Sequence, residues 1–487
     1  MAVAGGEGFT VLLTERGGLL VLGENEHGQI GRPVSRRRVA GALLGGVGEA
    51  AGDAVRKLPG GTQFVAALAR IEGALGPPEP ILAEEHPFNN EAVVMVATGE
   101  YYSMCVTDSG AVFATGDNDR GQLGLGDVIQ RSSFTTLGLD VFDGSPVMMV
   151  ACGIDHTLVL TRTGLVWAFG CGANGENGHP GLQSLSVPTR VAALDGIVMV
   201  AAGGMHSTAV GSDGRMWTWG VSGSGVLGHD DTGDGAVALP RALNLQAFGG
   251  EAVIFVAAGA QYTMAVTAPG DLWAWGSGDY GQLGLGDRED RRVPTRLTNT
   301  WGGSCVRMVS CTSCLHVAGY TMAVTQDGVV WTWGHPYFGQ LGHVNRQQEL
   351  TPTRIPQTAF GGAHVVLVYN TPRNASMAVT MHGLVYQWGD VTTGHLPESL
   401  VESRVPIPLG TSVCPEGRCG RGCALPRRDM LVFAQGTHAR LGAECVFREI
   451  AAELIEGICE QTRAPDGAYA HMHEGQLRLL AATVRVT

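Results

Sequence analysis

The sequence predicts an all-β fold: a seven-bladed β-propeller of four-stranded blades, with a small α/β C-terminal extension. Three observations predict it. A unit of about 50 residues recurs along the chain, each unit carries paired apolar runs around a glycine-ended turn, and the second run of each pair alternates aromatic residues. The 487 residues are 44% hydrophobic and include 73 glycines, but without a triplet period or low-complexity run, so collagen-like and disordered classes are excluded. Apolar runs are too short for a transmembrane helix, and "MAVAGGEGFTVLL" has no basic leader region, so an intracellular protein of cytoplasm or nucleus is expected, not a secreted or membrane one.

The repeat is anchored by the tetrads "TERG", "TDSG", "TRTG", "GSDG", "TAPG", "TQDG" and "TMHG", which end at Gly17, Gly110, Gly164, Gly214, Gly270, Gly328 and Gly383. Six residues after each comes a second glycine: Gly23, Gly116, Gly170, Gly220, Gly276, Gly334 and Gly389. Runs such as "HTLVLT" and "YTMAVT" precede the tetrad, and "LVWAFG", "RMWTWG" and "DLWAWG" follow it. The tetrad therefore reads as a hairpin turn between two strands, with glycine supplying the positive φ. "VMMVACG" or "VIFVAAG" supplies a strand before the pair, and "VPTRV" or "VPTRL" one after it, where the proline suits an edge. Eight of the nine tryptophans lie in the strand after the tetrad, at period two, and are read as filling between blades.

A polar loop recurs after the second glycine: "GDNDRGQLGLGD" at 116–127, "GSGDYGQLGLGD" at 276–287, and looser copies elsewhere. It is not a phosphate loop, since no Lys-Ser/Thr and no helix follow it. Its glycines are expected to let the chain turn under the next blade, with Leu123 and Leu125 anchoring the turn. Partner recognition is expected where copies differ, so the candidate partner-binding residues are Asn118, Asp119, Arg120, Asp279, Tyr280, Tyr337 and Phe338. His156 and His206 share a slot with Tyr102, Tyr262, Tyr320 and Phe9, so they are read as structural. No catalytic residue, nucleotide motif or cofactor is expected. Cys414, Cys419 and Cys423 are the nearest approach to a metal site, with His438 and Cys445 downstream, but the C-x4-C-x3-C spacing is irregular and they are read as loop thiols.

The strings "VMMVACGIDHTLVLTRTGLVWAFG" and "GDNDRGQLGLGD" resemble repeats of the regulator of chromosome condensation family. The resemblance covers residues 1–410, is strongest in units two to six, and implies the seven-bladed propeller. Unit seven departs, because "YNTPRNASMAVT" lacks the Gly-x-x-His/Tyr motif and no "GQLG" follows Gly389; unit six carries extra residues around "CTSCLHVAGYT". Members of the family include a chromatin-bound exchange factor for the small GTPase Ran, ultraviolet-B photoreceptors, ubiquitin-ligase subunits and ciliary scaffolds, so the fold leaves function open. The sequence starts almost directly in unit one, so the basic tail of the Ran exchanger is not expected, and 171–188 does not resemble its wedge loop. "GIDHT", "GGMHS" and "GAQYT" lack the tryptophan that the resemblance would require for light sensing.

The expected function is a non-enzymatic scaffold presenting propeller loops to a protein partner. The alternatives are a guanine-nucleotide exchange factor for a small GTPase, acting without covalent catalysis, and a chromatin-associated protein. The net charge of −13 and the single lysine, Lys57, argue against a nucleic-acid partner, although Arg36 to Arg38 form one basic cluster. Two segments break the repeat. The insertion at 33–87 contains "GTQFVAALARIEGAL", which reads as a short amphipathic helix. The segment 411–487 contains "ECVFREIAAELIEGICEQ", also helical in period, and then the strand-like "GQLRLLAATVRVT".

Overall fold

The computed structural model describes residues 2–6, 9–13, 19–24, 27–29, 55–57, 63–65, 88, 91–231, 233, 235–298, 301–312, 319–343, 347–371, 374–382, 384–390 and 402–408. The chain divides into two compact units, Met1–Phe433 and Ala434–Thr487. Cys414, Cys419, Cys423, His438, Cys445 and both elements expected in 411–487 lie outside the described residues. Every regular element described is a strand or a short 3-10 turn.

Six four-stranded blades are formed, which corrects the expected seven. Units two to seven each build one antiparallel blade from four consecutive strands. Unit two is typical, with Val93–Thr98 innermost, then Tyr102–Thr107, Val112–Gly116 and Arg131–Leu137 at the edge. Unit one instead makes a five-stranded sheet, in which Ala2–Gly6, Phe9–Leu13 and Leu19–Glu24 are followed by Gln63–Val65 and then Val55–Lys57. The reason is the insertion: the edge at Gly23–Glu24 pairs with Val65 and Phe64, which lie within it. Gln63–Val65 is thus strand, where the sequence had suggested helix.

The repeat dictates the packing. Second strands are buried at every position, whereas innermost strands bury their first and fourth residues most deeply. Each innermost strand also carries a bulge at its second residue. Edge strands carry Pro188, Pro240, Pro294 and Pro352, where a missing N–H costs no ladder bond. Trp219, Trp275, Trp333 and Trp388 are fully buried, and Trp219, Trp275 and Trp333 lie in apolar clusters shared by neighbouring units. Each fills more volume than any aliphatic residue could. The innermost strands of unit one and all six blades converge on an axial cavity of about 220 Å³, lined by residues from Ala4 to Asn370.

Candidate functional site

Two faces of the propeller differ. One carries the tetrad turns. The other carries the polar loops and the short connections between first and second strands, joined for example by the Asp117 N–H donating to the Tyr101 carbonyl at 3.0 Å. The polar loop is first a fastener. The carbonyl at its Gln29/Gln122/Glu176/Val226/Gln282/Gln340 position accepts the hydroxyl of Ser103, Thr157, Ser207, Thr263, Thr321 and Ser376, each in the next unit, at 2.7–3.0 Å. The indole N–H of Trp219, Trp333 and Trp388 donates to the same carbonyls of Glu176, Gln282 and Gln340. The glutamine side chain then holds its own loop: Gln122, Gln282 and Gln340 Oε1 accept the N–H of Arg120, Tyr280 and Phe338, each at 2.8 Å. The fastener hydroxyls, the indoles and the glutamine side chains are buried, so each unmade bond there would leave a desolvated polar atom.

The His/Tyr slot makes a second set of links. Tyr102 donates to the His156 carbonyl, His156 Nε2 meets Ser207 Oγ at 2.9 Å, and His206 Nε2 meets Thr263 Oγ1 at 2.9 Å. Tyr262 and Tyr320 donate to the carbonyls of Tyr320 and Ala375. Burial holds His156 down at about 4 and His206 at about 3, so both imidazoles are neutral and have no solvent-reachable substrate to serve. Burial likewise pushes the Cys152 thiol up to about 12, away from reactive thiolate. Among the described residues no three His, Cys, Asp or Glu side chains could hold a metal ion together.

The candidate residues fall into two groups. Asn118 is fully buried: its Nδ2 donates to the carbonyls of Asp127 and Ile129 and its Oδ1 accepts from the Leu123 N–H, so its polar atoms are used inside the loop. Asp119 and Arg120 beside it are exposed. They adjoin Asp155 of unit three, whose carboxyl is pushed up by burial first and then by Asp117, Glu176 and Asp119, against the opposing pull of Arg120. Asp127 closes the loop by an ion pair with Arg131 at 2.6 Å, repeated by Asp287 and Arg291.

The second group is an aromatic patch. Tyr280 of unit five and Tyr337 of unit six are 43% and 63% exposed, and Asp279 is exposed beside them. His335, which the sequence reading did not single out, bridges them: its ring centroid lies 5.4 Å from Tyr280, edge-on, and 5.9 Å from Tyr337, stacked. Tyr337 in turn meets half-buried Phe338 at 4.8 Å. Gln348 Nε2 donates to the Tyr280 carbonyl at 2.7 Å, while Gln348 Oε1 accepts from Arg288, which ties the two loops together. Burial, then Arg288, holds His335 below the ordinary histidine range, favouring the neutral ring. The signal for His335 was present in its place directly after Gly334, where the other copies have Asp117, Cys171, Val221 and Ser277.

Comparison with known proteins agrees with this geometry. A family model described as RCC1-like domain matches residues 1–366. The ultraviolet-B receptor UVR8 of Arabidopsis thaliana is 34% identical over 392 residues, covering 78% of this chain and 85% of that protein. The structure of human WBSCR16 superimposes with a TM-score of 0.59 at 25% identity, over 76% of this chain and 83% of that one. Prp20p of Saccharomyces cerevisiae, solved in a study of its binding to Gsp1p and histones, superimposes with a TM-score of 0.57 at 23% identity, over 76% and 79%. No helix among the described residues is long and apolar enough to cross a membrane. With its repeated fastener, its slot residues and a family match over three quarters of its length, the chain belongs to the RCC1-like domain family.

Proposed function

We propose that this protein is a non-enzymatic interaction scaffold acting inside the cell, and that it presents the loop face of units five and six to a protein partner. The observation that carries this reading is the patch of Tyr280, His335, Tyr337 and Phe338. Two tyrosines stand out in solvent on loops whose backbones are pinned by Gln282, Gln340 and Gln348. Rigid exposed aromatics are what protein interfaces use as anchors, because they bury a large area at small entropic cost. The buried groups that titrate or could attack a substrate serve the fold instead: His156 and His206 are neutral links, and burial raises Cys152 and Cys311.

Affinity capture with the full chain and with a Tyr280→Ala/Tyr337→Ala variant tests this. Loss of a captured protein with unchanged folding supports the patch, and an identical set of partners removes it. The exchange-factor alternative is decided by nucleotide release from a panel of small GTPases, where acceleration by this chain would replace the scaffold reading. The 411–487 extension is proposed as an appended segment separable from the propeller, and capture with and without it measures its share of binding.

A further inference from the structure

Arg307 is a charge out of place. It is the second residue of the innermost strand Val306–Cys311 and falls in the register break between Val306 and Met308. The same bulged position holds Val94, Met148, Val198, Ile254 and Val366 in the other blades. One guanidinium therefore takes a bulged position that is apolar in the other five blades. No hydrogen bond, ion pair or ring contact reaches Arg307 from the described residues, and burial alone pulls its guanidinium below the ordinary arginine range.

The strand's position says where this charge lies. The neighbouring innermost strands Val253–Ala258 and Val365–Asn370 pack against it on either side. Val306 and Val309 are sealed at 3% and 1% exposure, while Arg307 and Met308 stay half-buried. An innermost strand with both flanks covered meets solvent along the axis and at its two ends. The strand starts at the turn-bearing face, where the Val306 N–H donates to the carbonyl of the tetrad glycine Gly270. It ends at the loop face, where Val309, Ser310 and Cys311 line the axial cavity. Arg307, second from the turn-bearing face, thus lies at that end of the strand, away from the residues that line the cavity.

We infer that the turn-face end of this strand is an anion-binding site, with the Arg307 guanidinium as its cation and a small carboxylate or phosphate group as its ligand. A half-buried charge without a counterion forfeits solvation and receives nothing in return. A planar fork of N–H donors in a partly desolvated position recovers that loss by bidentate pairing with an oxyanion.

The test is thermal unfolding of the full chain at constant ionic strength, titrating sodium phosphate or sodium acetate from zero to 10 mM against chloride. The wild type should gain about 1–3 °C with a saturating profile in at least one of them, and which one acts tells phosphate from carboxylate. Arg307→Met, which installs the residue of unit three, should lose the response and be more stable without added anion. Arg307→Lys, keeping the charge but not the fork, should respond at least threefold more weakly than wild type, and it serves if the methionine variant does not fold. Arg215→Met, removing an exposed arginine on a tetrad turn, should respond like wild type. A flat wild-type profile in both salts, or an unaltered response in Arg307→Met, overturns the site.

Discussion

The loops "GDNDRGQLGLGD" of unit two and "GSGDYGQLGLGD" of unit five differ at three of twelve positions, and the structure gives these positions different duties. The shared residues fasten blades. Gly121 and Gly281 turn the chain, the Gln122 and Gln282 carbonyls accept the next unit's threonine, and Asp127 and Asp287 clamp the loop to Arg131 and Arg291. The third position also proves to be framework. Asn118 ties the loop by its side chain, whereas Gly278 does so by close approach, with its N–H bonded to Asp290 and no room for a Cβ against the Glu289 carbonyl. What varies freely is the tip, Arg120 against Tyr280. The lesson is that a difference between copies signals function only where the side chain is exposed.

The largest expected effect tests the framework within one loop. Gly276 has φ +100° and an added Cβ would lie 2.5 Å from the Gln261 carbonyl oxygen, whereas Gly286 has φ +92° but only Thr351 Cγ2 at 3.8 Å. Gly276→Ala should cost about 3 kcal/mol or more, and Gly286→Ala about 1 kcal/mol, from left-handed strain alone. Equal shifts in the urea midpoint would break the distinction.

The slot residues come next. His156 and His206 have folded pKa values of about 4 and about 3, below the ordinary 6.5. As pH falls below 6.5 the unfolded chain binds protons that the fold refuses. Their stabilising share is complete above 6.5 and is lost progressively as pH drops to about 4 for His156 and about 3 for His206. The amount is on the order of 3 kcal/mol for His156. Since Tyr102, Tyr262 and Tyr320 fill the same slot, His156→Tyr/His206→Tyr should flatten the decline between pH 6.5 and 4, as read by chemical denaturation at each pH. An unchanged slope would assign the acid sensitivity to other groups.

Smaller effects separate buried from exposed loop positions. Asn118→Ala should destabilise by about 1–2 kcal/mol, because the Leu123 N–H and the Asp127 and Ile129 carbonyls lose a buried partner. Asp119→Ala/Arg120→Ala, a few atoms away, should stay within about 0.5 kcal/mol. Tyr280→Ala/Tyr337→Ala should likewise leave the melting temperature nearly unchanged while altering partner capture. A large loss of stability there would make the patch a packing feature.

The repeat, the hairpin tetrads, the edge prolines and the tryptophan filling were all legible, since each depends on local period and on residue types with one dominant use. The loop fastener was only half legible: the string "GQLG" was plain, but its working group is a main-chain carbonyl, and no side chain advertises which hydroxyl reaches it. His335 escaped notice for a related reason, because its meaning lies in contact with Tyr280, 55 positions earlier. By itself the sequence determined the blade: four strands, their turns and their buried faces follow from alternation and glycine placement. Only the tertiary structure decided the sum. It showed six four-stranded blades with a first sheet that recruits Gln63–Val65 and Val55–Lys57, because an open strand edge accepts whatever chain lies near it, and nearness is not written in local pattern. It also decided that Asn118 is a strut, that Tyr280 and Tyr337 share one surface, and that Arg307 is half-buried. In each case the deciding quantity, burial or contact across units, exists only once the blades are assembled.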